Sequence, residues 1–243
     1  METRKFIVNL SLVVLMGLIA TVAFGCWNMP DGQNPGNNIK EERTVGNFSR
    51  LDIGGAFEVI LAQGDQQKVI VEADEKEISK IKTEVVGSTL KIYTDSDWNS
   101  HFHDMKIYLT FKTLEYMDLS GAVEIDNEGE LTFGNLSLDV SGAAEIDLSL
   151  KADKIEAEFS GASEIELKGK AASGSFELSG ATEFDAEEFE FQDLTIEVSG
   201  ASDAKVWATG NLNIDASGAS SIRYKGNPKV SLDESGASSV KPL

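Results

Sequence analysis

Carboxylates recur in this chain at intervals that would bring them together. Glu124 and Asp126, Glu145 and Asp147, Glu164 and Glu166, and Glu183 and Asp185 are acid-x-acid pairs, with successive pairs 21, 19 and 19 residues apart. On a strand, residues two apart share a face, so each pair would point one way. Hard carboxylate oxygens suit a divalent cation, above all Ca²⁺, so these eight residues are the candidate metal ligands. No dense Asp-x-Asp-x-Asp-Gly loop accompanies them, so such a site would be assembled between copies of the pair. The plainer reading is a solvated face that keeps a stacked β protein soluble and discourages edge pairing. A second metal candidate is His101-Phe102-His103, with Asp104 the one further ligand nearby; Trp98 and Phe102 would alternatively make a small aromatic contact for sugar. Cofactors are otherwise none.

The element that must position these acids is Ser-Gly-Ala. It recurs at Ser120, Ser141, Ser160, Ser179, Ser199, Ser217 and Ser235, with successive serines 21, 19, 19, 20, 18 and 18 residues apart. A near-constant period of this length is the signature of a repeat stack. Three residues before each serine stand Met117, Leu138, Ala157, Phe176, Ile196, Ile214 and Leu232, all apolar. Two before stand Asp118, Asp139, Glu158, Glu177, Glu197, Asp215 and Asp233, all acidic. Five after stand Ile125, Ile146, Ile165, Phe184, Ala204, Ile222 and Val240. Alternation with period two predicts strands with one buried and one wet face.

Each copy therefore reads as a strand, a tight corner, a second strand and a short return. Gly121, Gly142, Gly161, Gly180, Gly200, Gly218 and Gly236 would serve as turn residues, since glycine takes positive φ without steric cost. The alanines would fit a crowded inner corner. One copy cannot bury its own apolar face, so copies must stack, with like strands parallel and about 4.7–4.9 Å apart. The expected fold is all-β: a parallel β-solenoid, right-handed by the rule for parallel crossovers, with rungs of about 19 residues and a less regular N-terminal cap.

Residues 1–26 stand apart. Arg4 and Lys5 precede an apolar run from Phe6 to Phe24 that ends at Gly25-Cys26. This is a secretory signal layout, with Cys26 placed for cleavage and lipid attachment. An uncleaved membrane-spanning anchor is the alternative for a run of this length. Residues 27–42, rich in Gly, Asn and Pro, read as a flexible tether. Residues 43–243 read as the folded domain: an irregular part over 43–113, then the repeat stack over 114–243. Within the first part, Phe48 to Ile60 is a degenerate copy with Gly54 in place of serine, and Asp74 to Ile81 would hold a short helical turn.

Four features carry a resemblance: Phe48 to Ile60, the strand Val69-Ile70-Val71-Glu72-Ala73-Asp74, the strand Leu90-Lys91-Ile92, and the Ser-Gly-Ala array. Together they resemble the head GIN domain family of auto-transporter adhesins, common among Bacteroidota envelope lipoproteins. The resemblance covers residues 43–243. It implies a β-helical fold outside the cytoplasm and carries over no catalytic or binding residues.

Composition narrows the function further. The net charge is −20, with 41 acidic against 21 basic residues, so nucleic acid is not an expected partner. One cysteine excludes an internal disulfide framework. No residue is assigned a catalytic role, because the acids obey the repeat and no nucleophile, phosphate-loop or zinc motif is present. The expected protein is a non-enzymatic outer-membrane lipoprotein of the cell envelope, facing the periplasm or the surface. It would be an adhesin or scaffold presenting an acidic face to a protein or glycan and held to the membrane by its lipid. A polysaccharide-active β-helix enzyme and a Ca²⁺-binding structural protein are the alternatives. The later copies carry Lys205, Arg223 and Lys241 where earlier ones carry Asp126 to Asp185. With no obvious cap after Val240, this points to oligomer contact at an open C-terminal end.

Overall fold

The computed structural model describes residues 37–95 and 105–243. Cys26, Trp98, His101, Phe102 and His103 lie outside the described residues, so the lipid-attachment and His-x-His readings are carried by sequence alone.

The chain is all-β, and its sheet is mixed rather than wholly parallel. The N-terminal part contains β1 (Asn38–Arg43), β2 (Arg50–Gln63), β3 (Lys68–Asp74), a 3-10 turn at Ile78–Lys80, β4 (Ile81–Val86), β5 (Thr89–Thr94) and β6 (Lys106–Phe111). The antiparallel pairings, β1 with β3, β3 with β6 and β4 with β5, are all here. Their cause is local. Gly87, at φ +65°, lets the chain reverse between β4 and β5 within two residues, whereas parallel neighbours need a long crossover. Asn38–Glu42, expected in the tether, forms most of β1. Ile39 packs against the core there, and Lys40 reaches Glu72 at 3.3 Å. The folded unit thus starts earlier than composition suggests.

Every pairing made by β2, and every pairing among the strands that follow β6, is parallel. The strands are β7 (Tyr116–Asn127), β8 (Leu131–Val198), β9 (Asp203–Ala216), β10 (Ser221–Lys225), β11 (Lys229–Glu234) and β12 (Ser239–Pro242). Successive copies lie in register: Gly54, Gly55 and Ala56 opposite Ser120, Gly121 and Ala122, and these opposite Ser141, Gly142 and Ala143. β8 is extended backbone that passes the corners at Ser141, Ser160 and Ser179, and its copies stack through those corners. The Ser160 hydroxyl donates to the Val140 carbonyl at 3.4 Å, and that of Ser179 to Phe159 at 3.1 Å.

The seven corner glycines have φ between +75° and +120°. The alanine after each does not face inward. Ala162, for example, is exposed, and Ser163 behind it is buried. The left-handed glycine swings the next residue outward and returns the residue after that to the core, on the same parity as Ile165. That inner corner is filled by Val123, Ala144, Ser163, Thr182, Ser202 and Ser220. The later hydroxyls satisfy themselves across the corner: Ser202 donates to the Ser199 carbonyl at 3.2 Å and Ser220 to Ser217 at 3.1 Å.

Three side-chain amides extend the ladder where the backbone pairing lapses. Gln67 bonds Phe48 through both N–H and C=O, Gln63 does the same for Thr132, and Asn127 for Ser149. The core runs the length of the stack and is mainly aliphatic, with aromatic contacts between Phe111 and Phe133 and around Phe176, Phe184, Phe189 and Phe191.

Candidate functional site

The stacking that aligns the corners also aligns the acids. Glu58, Glu124 and Glu145 are consecutive register partners, as are Asp52, Asp118 and Asp139. Glu183 faces Asp203, and Glu197, Asp215 and Asp233 continue the other row. Glu145, Asp147, Glu164, Glu166 and Glu183 are exposed, while Asp126 and Asp185 are half-buried. Among the described residues, no three His, Cys, Asp or Glu side chains converge closely enough to hold a metal ion. The rows offer pairs of carboxylates along a face rather than a cage of the six to eight oxygens Ca²⁺ prefers.

The rows are not left bare. Lys91 caps the N-terminal end of one, its ammonium 2.8 Å from Asp52. Lys106 caps the other, 2.6 Å from Glu58. Lys168 sits between Glu166 at 2.6 Å and Asp147 at 3.6 Å. Lys205 faces Asp185 in the ladder and bonds it at 2.6 Å. Beyond it the row turns basic, with Lys205, Arg223 and Lys241 as successive partners. Lys91 and Lys106 escape a repeat-based reading because they lie on β5 and β6, which together form the layer in front of β2. The signal for Lys91 is the match of Leu90-Lys91-Ile92 to Leu51-Asp52-Ile53, which places a base against an acid.

Crowding perturbs these groups. Partial burial, then the charges of Glu58, Glu145 and Asp126, raises the Glu124 pKa above its usual carboxylate value. Burial and then Glu183 and Glu145 raise that of Glu164, and burial with Asp147 that of Asp126. Asp185 and Glu72 move the other way. Burial opposes the charge on Asp185, but hydrogen bonds from Lys205 and the Glu187 N–H outweigh it and lower its pKa. The Tyr108 hydroxyl, 2.8 Å away, holds Glu72 down.

The pH dependence follows from these directions. A carboxylate with a raised native pKa binds protons more tightly folded than unfolded. Its stabilising contribution is full below the unfolded value and is lost as pH rises through the native one. Asp185 and Glu72 contribute above the unfolded value and lose it as pH falls through their lowered native one. Melting temperature should therefore rise as pH falls from neutrality toward the unfolded carboxylate value of about 4.3, then fall below about pH 4. In Glu124→Gln/Glu164→Gln the rise should be smaller, and an equal rise would remove these two as its source.

Among the described residues, two depressions are open grooves, of about 360 Å³ beside Lys151, Lys170 and Gln192 and about 300 Å³ beside Asp139, Glu158 and Glu177.

An all-β protein built on an open, mixed sheet is the class these features define. The chain belongs to the family described as "Putative auto-transporter adhesin, head GIN domain", whose profile matches residues 47–228. None of the curated proteins matches it. A crystal structure of a "putative adhesin" from Bacteroides fragilis is similar at TM-score 0.80 and 23% identity, over 85% of this chain and 97% of that one. Another from Parabacteroides distasonis is similar at 0.70 and 24%, over 86% and 98%. A "putative lipid binding protein" of the same organism follows at 0.65 and 22%, over 86% and 98%. At these identities the likeness is one of fold. The family's description is that of an adhesin, a class that works at the cell envelope or surface.

Proposed function

We propose that this chain is a non-enzymatic envelope lipoprotein, anchored through lipid on Cys26, whose repeat array is a right-handed parallel β-solenoid acting as an adhesive scaffold. The observation that carries the reading is the run of in-register carboxylates along successive strands of the described residues. Such a face suits many weak, repeated contacts better than it suits catalysis, which needs polar groups held in a walled cleft. The ligand that fits is an extended cationic protein segment, or a glycan bridged by Ca²⁺ between carboxylates of adjacent rungs. Beside Leu136, Ile146 and Phe176 the free space is about 10 Å³, too small for an acyl chain at that point of the core.

The experiment uses the full chain in liposomes against an array of glycans and matrix proteins, in Ca²⁺ and in Na⁺ of matched ionic strength. Binding that falls in Glu145→Gln/Glu164→Gln supports the acidic face as the contact. Binding unchanged by those substitutions, or none to any array member, overturns it. Lipid labelling should disappear in Cys26→Ala, and labelling that persists would place the anchor elsewhere.

A further inference from the structure

The last rung exposes what every other rung buries. Val230 and Leu232 on β11 lie opposite Leu212 and Ile214 of β9 and face the same interior. Leu212 and Ile214 are 0% and 3% exposed, whereas Val230 and Leu232 are 38% and 46% exposed. β11 pairs only with β9, so its other edge is open. The family match ends at residue 228, just before this strand.

The edge has a definite hydrogen-bonding pattern. The Ser235 N–H donates to the Ala216 carbonyl at 2.8 Å, on the β9 side. Peptide groups alternate along a strand, so those of residues 229, 231 and 233 also face β9, and those of 230, 232 and 234 face outward. β12 differs. Its Ser239 N–H and the Leu243 N–H donate to Ser220 and Tyr224, which leaves positions 240 and 242 at the edge, and Pro242 has no N–H to offer. Of the two terminal strands, β11 is the one open to a new partner.

We propose that this edge pairs with the same edge of a second copy of the chain, antiparallel about a two-fold axis at Ser231. Antiparallel pairs must match inward residue to inward residue, so the positions of the two partners sum to an even number. With Ser231 opposite Ser231, Val230 meets Leu232 of the partner subunit twice. Their outward peptide groups exchange four N–H···O bonds, and their apolar side chains cover the open core. Lys229 then faces Asp233 of the partner subunit, also twice. Among the described residues, neither Lys229 nor Asp233 has an ion-pair partner within the chain. A parallel arrival would not oppose these charges, so the complementarity selects a two-fold contact over a head-to-tail filament. The interface stands apart from whatever the lateral faces bind.

The 231 pair is a non-hydrogen-bonded one, with Cα atoms about 4.5 Å apart, within the range of about 4.4–6.8 Å that a disulfide spans. The full chain in detergent, carrying Ser231→Cys, should give a disulfide-linked dimer under mild oxidation. The parent chain, with Cys26 alone, and Asn213→Cys, the same position one rung earlier, should not. Adding Lys229→Asp to Ser231→Cys should slow cross-linking about fivefold, because two favourable pairs become repulsive. Adding Asp233→Lys as well should restore the rate. Unchanged melting temperatures would show that the variants fold. A Ser231→Cys chain that stays monomeric overturns the proposal, whether a different segment or a foreign protein covers the edge. Cross-linking equal to Asn213→Cys, or indifferent to the charge swap, overturns it as well.

Discussion

Replacing Gly161 with alanine is expected to destabilise the protein by more than about 3 kcal/mol, from left-handed strain and from overpacking. Its φ is +120°, which an L side chain rarely adopts, and a methyl there would fall on the carbonyl oxygen of Gly142 in the rung before. That neighbour is backbone inside a hydrogen-bonded ladder and cannot move aside. Gly180 meets Gly161 in the same way, so relaxation at one corner displaces the next. Two controls separate the causes. Gly129 has φ +72° with nothing within 4 Å of a new methyl, so Gly129→Ala should cost only the strain of about 1–2 kcal/mol. Gly46 has neither constraint, so Gly46→Ala should be neutral within about 0.5 kcal/mol. Urea unfolding of the three variants tests the order. Gly161→Ala matching Gly46→Ala would mean that the corners do not stack.

The corners were legible because their constraint repeats. A glycine demanded by both φ and stacking appears in every copy, and the alternation around it reports strand and face. What escaped was whatever occurs once. β4 and β5 reverse direction at Gly87, a single turn without a repeat to flag it. β1 begins in a polar stretch whose one apolar side chain, Ile39, is too little for a periodic signal. Ala162 misled because a small residue beside glycine suggests crowding. The parity through Ser163 and Ile165 settles the question, but a buried serine is not an obvious core residue. Of the candidate site, the carboxylate rows could be written down from spacing alone. Lys91 and Lys106 could not, since their opposition to Asp52 and Glu58 depends on which strands lie in front of β2. Which way the peptide groups of Val230 and Leu232 point is likewise absent from the spacing, because it depends on which side of β11 pairs with β9.

Phe176→Ala is expected to cost about 3–5 kcal/mol, the range for removing a buried aromatic and leaving its cavity. Phe176 is 1% exposed and central to a cluster of four buried phenylalanines. Its ring lies 4.8 Å from that of Phe184 and 5.5 Å, edge-on, from Phe191, which in turn is 4.7 Å from Phe189. The surroundings are cut to these rings. The same repeat position is Ala157 one rung earlier and Ile196 one rung later. At Gly174 an added methyl would come within 2.6 Å of the Phe191 ring and 2.8 Å of the Phe176 ring. The register between β8 and β9 shifts between Ala186 and Glu190, so the backbone itself bulges around Phe189. A core shaped this closely cannot collapse into the space a ring leaves, and the rungs on either side are hydrogen-bonded to the cavity wall. Phe176→Leu, which keeps most of the volume, should cost roughly 1.5 kcal/mol or less. Equilibrium unfolding of the two variants distinguishes a packed cluster from a plastic one. Equal losses would show that edge-to-face geometry rather than volume holds this rung, and a loss below about 1 kcal/mol for Phe176→Ala would show that the bulge closes over the gap.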